Sequence, residues 1–178
     1  MTRPVTRFLR NFRKDETGSA VIPFAMWTPV FLALILSSVE LGTVTIRHTM
    51  LERGLDQAVR NVRLNTTGNL DHASLKQMIC DNAAVLPNCL DTLHLEMVQL
   101  DMFNWVEPPA GTDCADVSQE VTPVRNFAVG ADQEMMMLRA CYKYRPITPA
   151  GTISSSLAKD DNGFTALVAT SAFVHEPS

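Results

Sequence analysis

The stretch Ser19–Val39, SAVIPFAMWTPVFLALILSSV, decides how this chain is read. It runs 21 residues without a charged side chain, and a helix of that length, rising about 1.5 Å per residue, covers a hydrocarbon core of about 30 Å. Ten of its residues are Leu, Ile, Val or Phe. Each contributes about 0.3–0.6 kcal/mol on an insertion scale, enough for the segment to partition despite Pro23, Pro29 and its hydroxyls. Residues 19–39 are therefore expected to form a transmembrane helix. Arg3, Arg7, Arg10, Arg13 and Lys14 precede it and only Arg47 follows closely, so the positive-inside rule places residues 1–18 in the cytoplasm as a basic leader and everything after Glu40 outside. A secretory signal peptide also joins a basic start to an apolar run, but its apolar region is about 7–15 residues long and ends at a small-residue cleavage site. This run is longer and meets Glu40-Leu41-Gly42.

Past the membrane segment the apolar residues continue with a different period. Leu41, Val44, His48, Leu51, Leu55, Ala58 and Val62 recur in steps of three and four, while Arg47, Glu52, Arg53, Asp56, Arg60 and Arg63 fill the other faces, the pattern of an amphipathic helix. No proline lies between Pro29 and Pro87, so one helix is expected to run from the membrane segment to about residue 64, with residues 40–64 as its amphipathic continuation. Asn65-Thr-Thr-Gly-Asn then breaks it. The outer stripe either packs on the chain's own globular part or meets other subunits.

Asp71 can cap a second helix over about residues 71–85, where Leu75, Met78, Ile79 and Ala83 share a face and Pro87 forces an end. The period then becomes two. Leu93, Leu95 and Met97 alternate with an outward His94 and Glu96, and residues 135–145 (MMMLRACYKYR) and 164–175 (FTALVATSAFVH) are two further strand candidates. Leu138, Ala140, Tyr142 and Tyr144 share one face of the former, and its methionine run reads as core packing. Asn104–Arg125, with Pro108-Pro109, Gly111 and Pro123, reads as a long surface loop, and Pro146–Asn162 as another connection. Each apolar face must find another. The expected fold is thus α+β: a long N-terminal helix, transmembrane then amphipathic, packed on a small antiparallel sheet, with residues 65–178 as the exported domain.

The four cysteines, Cys80, Cys89, Cys114 and Cys141, all fall in the part assigned to the exterior, where an even count reads as two disulfides. Of the three possible connectivities, Cys80–Cys89 with Cys114–Cys141 is favoured, because the Pro87-Asn88 turn can fold a short loop back onto the helix carrying Cys80. No Cys-x-x-Cys pair is present and His48, His72, His94 and His175 are scattered, so no metal site or cofactor is expected. The basic leader holds five of the 15 Lys and Arg. The remainder is acidic, which suits no nucleic-acid partner. An enzyme is not expected either: no nucleophile elbow, zinc-helix motif or phosphate loop occurs, and Ser154-Ser155-Ser156-Leu157-Ala158-Lys159 is a polar loop rather than a serine–lysine site.

The residues around the membrane segment resemble those of the TadE-like proteins of bacterial tight-adherence pilus systems. The likeness lies in Asp15-Glu16-Thr17-Gly18-Ser19-Ala20-Val21-Ile22-Pro23-Phe24-Ala25, in Pro29, in Glu40-Leu41-Gly42 and in Leu55-Asp56-Gln57-Ala58-Val59-Arg60. It covers about residues 10–65. The resemblance implies a minor pseudopilin or an assembly component of a type IV-related pilus, single-pass in the bacterial inner membrane, with a periplasmic head and a pilin-like fold. Its implied partners are other pilin-like or pilus-assembly proteins and a prepilin peptidase, which would cut at Gly18–Ser19. Processed pilins carry glutamate five residues after the cut, where this chain has Pro23. Proline cannot supply a buried carboxylate for a neighbouring subunit's amine, but suits the first turn of a helix. Pro29 is expected to kink the helix or expose a carbonyl. Glu40 is expected in headgroup water, partly answered by Arg47, or in contact with a partner helix. A membrane-tethered periplasmic binding or sensor module is the alternative that the exported part alone would also satisfy.

Overall fold

The computed structural model describes residues 13, 20–64, 71–108, 114, 127–128, 130–131, 133–147 and 155–176. Gly18, Ser19, the expected break at 65–69, Ser154 and much of the two long connections lie outside the described residues. The elements run α1 (Val21–Arg63), α2 (His72–Asn82), α3 (Cys89–Thr92), β1 (Leu93–Leu100), β2 (Met135–Tyr144) and β3 (Thr165–Val174). This is the expected α+β arrangement of a long helix and three antiparallel strands.

Helix α1 is continuous over 43 residues, a rod of about 65 Å. Pro23 sits in its first turn, where a missing N–H costs no hydrogen bond. Arg60 and Arg63 occupy the last turn, beside the negative end of the helix dipole. Burial divides the rod in two. Its apolar window contributes nothing to the interior, whereas from Glu40 onward one stripe turns inward, with Leu51, Leu55, Ala58, Val59 and Val62 in the core. The outer half therefore packs on the chain's own head. The stripe is offset from the one the sequence indicates: Leu41 is exposed and Glu40 takes the inward position. Stepping back from Leu51 by whole helical turns reaches Arg47, Val44 and Glu40, with Leu41 about 100° round from that line.

The sheet has the order β1-β2-β3, each pair antiparallel. Helix α1 lies against β3 and α2 against β1, and the two helices pack on each other. Between helices and sheet sit Leu75, Ile79, Leu93, Leu95, Met97, Met136, Leu138, Ala140, Tyr142 and Phe173. The methionine run does pack in the core. The central strand is buried on both faces, so Met137, Arg139, Cys141 and Lys143 are covered too. Glu96 Oε2 stands 3.6 Å from Arg139 Nη1 and Lys143 Nζ donates to Asp160 Oδ2 at 3.0 Å on that second face. His94, opposite Cys141, lies on the same face with its ring nitrogens out of solvent. That corrects its reading as an outward residue; the alternation of β1 was right, but the Cys114–Cys141 bridge brings Cys114 to the side expected to be open.

Asp71 caps α2 as a capping box: its Oδ1 accepts from the Ser74 amide at 2.8 Å and its own amide donates to Ser74 Oγ at 3.2 Å. The helix ends at Asn82, short of the expected residue 85, because the chain turns at Ala83 and passes through a left-handed Asn88 into the one-turn α3. That detour brings Cys89 back to Cys80. Replacing Asp71 by Ala should lower stability by about 0.5–2 kcal/mol in denaturant titration. Hydrogen bonds from Ser74 hold the Asp71 carboxyl below its ordinary value. At Asp160 burial pushes the other way, but hydrogen bonds from Lys143, Phe164 and Asn162 and the Lys143 charge outweigh it. Carboxyls depressed in the folded state contribute stability that is complete above their unfolded pKa of about 3.9 and lost as pH falls through the folded values. The denaturation midpoint should thus be insensitive to these two groups from pH 7 to 5 and decline below about pH 4; replacing both by Asn should flatten the decline.

Gly54 marks the close approach of α1 to α2. A Cβ there would stand 2.8 Å from the Ile79 carbonyl oxygen and 3.3 Å from the Ala83 Cβ. Gly54→Ala should force the helices apart and cost about 1–3 kcal/mol despite the better helix propensity of Ala. Unchanged or raised stability in that variant would contradict this packing.

Candidate functional site

The molecule presents a naked apolar rod joined to a disulfide-braced head, and its candidate site is the rod with the collar where the two meet. On the rod, Val21, Ile22, Phe24, Met26, Trp27, Phe31 and Leu34 are among the most exposed apolar side chains of the chain. The 18-residue apolar window has a mean hydropathy of 1.9 and none of it is buried. A contiguous apolar surface of this extent does not persist in water and demands an apolar cover. It is one helix long and apolar enough to cross a membrane. Within it, Pro29 withholds the amide that would pair with the Ala25 carbonyl, yet α1 continues unbroken. One residue before it, the Thr28 hydroxyl donates to the Phe24 carbonyl at 2.6 Å. Such back-bonding recurs where the rod enters the head, Ser38 to Ile35, Thr43 to Val39 and Thr45 to Leu41, so these hydroxyls are satisfied within the helix whatever surrounds them.

The collar begins at Glu40. Its side chain is 2 % exposed, which corrects the expectation that it stands in headgroup water. One and two turns further on, Val44 packs against the core and Arg47 lays its guanidinium over the Tyr144 ring, 4.9 Å from the centroid. Tyr144 closes the end of β2 beside the stacked ring of Tyr142, whose hydroxyl donates to the Pro87 carbonyl at 3.0 Å. Burial pushes both phenols up; the Arg47 charge partly offsets this, and the Glu40 carboxylate adds to it at Tyr144. Glu40, Arg47 and Tyr144 thus form one electrostatic group at the boundary between rod and head. The sequence showed the acid and the arginine on one helix, but gave no sign of a tyrosine some hundred residues later.

The two bridges are Cys80–Cys89 and Cys114–Cys141, each with Cα atoms 5.7 Å apart. The first ties α2 to α3 and the second fastens Cys114 to the central strand. Among the described residues no three His, Cys, Asp or Glu side chains converge in a metal-binding group. Of the candidate residues, Pro23 and Pro29 lie on the rod, Glu40 at the collar and the cysteines in the head; Gly18 and Ser19 lie outside the described residues.

Residues 18–60 match the family model of the TadE-like proteins. Over that stretch the chain is similar to the TadE-like proteins. The matched stretch starts at Gly18, takes in the apolar part of α1 with Glu40 and Arg47 of the collar, and ends at Arg60 on the packed half of α1. From Val21 on, the matched residues form one continuous helix seen in two environments, bare before Glu40 and with one stripe packed after it. α2, α3 and the sheet lie beyond the matched residues. No curated protein and no solved structure matches the chain.

Proposed function

We propose that this protein is a membrane-anchored component of a tight-adherence pilus, a minor pseudopilin or assembly factor whose rod stands in the bacterial inner membrane and whose head lies in the periplasm. The observation that carries the reading is the coincidence of the TadE-like match with a helix whose apolar first part buries nothing up to Val39 and which turns one stripe into its own head thereafter. Such a helix has a function only if something apolar covers its first half, and a bilayer of about 30 Å is matched by its length. Two features of the exported half support the same placement. Its four cysteines are all paired, as suits an oxidising compartment, and five basic residues precede the rod in the sequence, a charge that the positive-inside rule retains in the cytoplasm. The domains of this reading are a cytoplasmic leader over 1–18, a membrane span over 19–39, the packed continuation over 40–64 and a periplasmic α+β head over 65–178.

Pro23 bears on the role. At the position where processed pilins present a carboxylate to a neighbour, this rod has a helix-starting proline that can neither donate nor accept through its side chain, so the reading favours a minor or assisting component over a bulk fibre subunit. Deleting the gene should abolish surface piliation and adhesion, and the full-length chain should restore both; a piliated, adherent deletion strain would refute the function. Intact-mass measurement of membrane-extracted protein decides processing: a chain beginning at Ser19 identifies a peptidase substrate, whereas the full-length chain removes Gly18 and Ser19 from the site.

A further inference from the structure

One contact fixes the height of the sheet on the long helix: His48 Nε2 lies 3.2 Å from the Val168 carbonyl oxygen, and Val168 pairs with Cys141. From Cys141 the central strand runs three residues further to Tyr144, about 10 Å at about 3.3 Å per residue, while α1 covers about 12 Å from His48 back to Glu40. The end of β2 therefore comes level with Glu40, where the Glu40 carboxylate acts on the Tyr144 phenol. Arg145 to Ile147 follow β2 and Phe164 precedes β3. These residues form the floor of the head, at the height where the apolar part of α1 ends and the headgroup layer of a bilayer, about 5–7 Å deep, would begin.

What the floor carries suits a phospholipid headgroup. Arg145 is exposed, with its guanidinium 4.9 Å from the centre of the Phe164 ring and its Nη2 donating to the Asn162 carbonyl at 3.3 Å. Among the described residues no carboxylate pairs with it, whereas Arg63, Arg139 and Lys143 each have one. A ring and a neutral acceptor brace the group without cancelling its charge, which leaves N–H donors for the paired geometry in which guanidinium takes a phosphate. Two residues on, Ile147 is 54 % exposed. At a lipid interface such apolar groups enter the acyl boundary while the cation beside them stays with the phosphates. The acids at this end do not reverse the balance. Glu40 is buried, Asp160 is engaged by Lys143 and by the Phe164 amide, and the exposed Asp91 and Asp161 stand against Arg47, Arg145 and Lys159.

We infer that the floor of the head rests on the leaflet from which the rod emerges, with Arg145 binding the phosphate of a phospholipid headgroup and Ile147 entering the interface beside it. The head then has two fixed points on the bilayer, the rod and the floor, and does not swing freely about Glu40. This inference rests on the anchor reading, because a span that ends at Val39 is what brings the floor to the bilayer surface.

The test places the photo-crosslinker p-benzoylphenylalanine at Ile147 of the full chain, reconstituted in vesicles of phosphatidylethanolamine and phosphatidylglycerol. Irradiation should give a lipid adduct, read by mass spectrometry of the labelled peptide. The same crosslinker at Phe103, which follows β1 at the opposite end of the sheet, should give less than a tenth as much. Arg145→Gln in the Ile147 crosslinker chain should lower the yield at least threefold. Vesicles of galactosyl diacylglycerol, which has no phosphate, should lower it by a similar factor with Arg145 in place. The lipid exchange leaves the protein unaltered, so a folding fault in the variant cannot imitate it. An equal yield at Phe103, or a yield that either the variant or the lipid exchange leaves unchanged, overturns the contact. A chain that floats with the vesicles but gives no adduct at Ile147 loses the floor contact and keeps the anchor, whereas a chain that does not float with them loses both.

Discussion

Replacing Phe31 and Leu34 together by arginine should release the chain from the membrane. Ten apolar residues in the span contribute about 3–6 kcal/mol in favour of insertion, whereas two central arginines cost about 5–7 kcal/mol and remove two favourable terms, so the balance changes sign. The carbonate-resistant fraction should drop from nearly all of the protein to less than a tenth. What makes the experiment clean is the division of α1: Phe31 and Leu34 are exposed and none of the apolar window contributes to the core, so the head should fold as before and keep its bridges. Leu41→Arg, on an exposed position just beyond the span, should leave the protein membrane-bound. If the double variant stays in the membrane while the Leu41 variant leaves it, the span is misplaced.

Removing the Cys114–Cys141 bridge should be the most damaging change to the head. The bridged residues are 27 apart, against 9 for Cys80–Cys89, and loop-closure entropy then gives about 3.5 kcal/mol for the longer and about 2.5 kcal/mol for the shorter. The longer one also fastens Cys114 to a strand whose second face is buried around Met137, Arg139 and Lys143, so its loss threatens that cover as well. Against a domain stability of about 5–15 kcal/mol, loss of both leaves little. Denaturant titrations of the detergent-extracted chain should rank wild type above Cys80→Ala/Cys89→Ala, and that above Cys114→Ala/Cys141→Ala. An unchanged midpoint on full reduction would contradict the bracing role.

The rod was legible because its signal is local. Twenty-one uncharged residues and the change of period after Val39 need no tertiary knowledge, and the alternation of Leu93, Leu95 and Met97 is likewise written residue by residue. Asp71 announced its helix for the same reason, through a cap closed within four residues. The errors arose where distant segments meet. Glu40 reads as a boundary carboxylate until β2 brings Tyr144 beside it, and His94 reads as solvated until Cys114 is bridged to Cys141 opposite it. The second helix stops early because a disulfide, and not only Pro87, shapes the chain behind it. Met102, Phe103, Trp105 and Val106, exposed after β1, are apolar residues inside an acidic, proline-rich stretch, a signal that composition alone assigns to a connection.

The most direct test of the account fuses alkaline phosphatase, or in parallel a green fluorescent protein, after Glu176 of the full chain. Phosphatase matures only where disulfides form, and ordinary green fluorescent protein only where it folds before export. A membrane-bound, active phosphatase with a dark fluorescent fusion is the expected result. An inactive phosphatase with a bright fluorescent fusion would put the head in the cytoplasm and contradict the central claim.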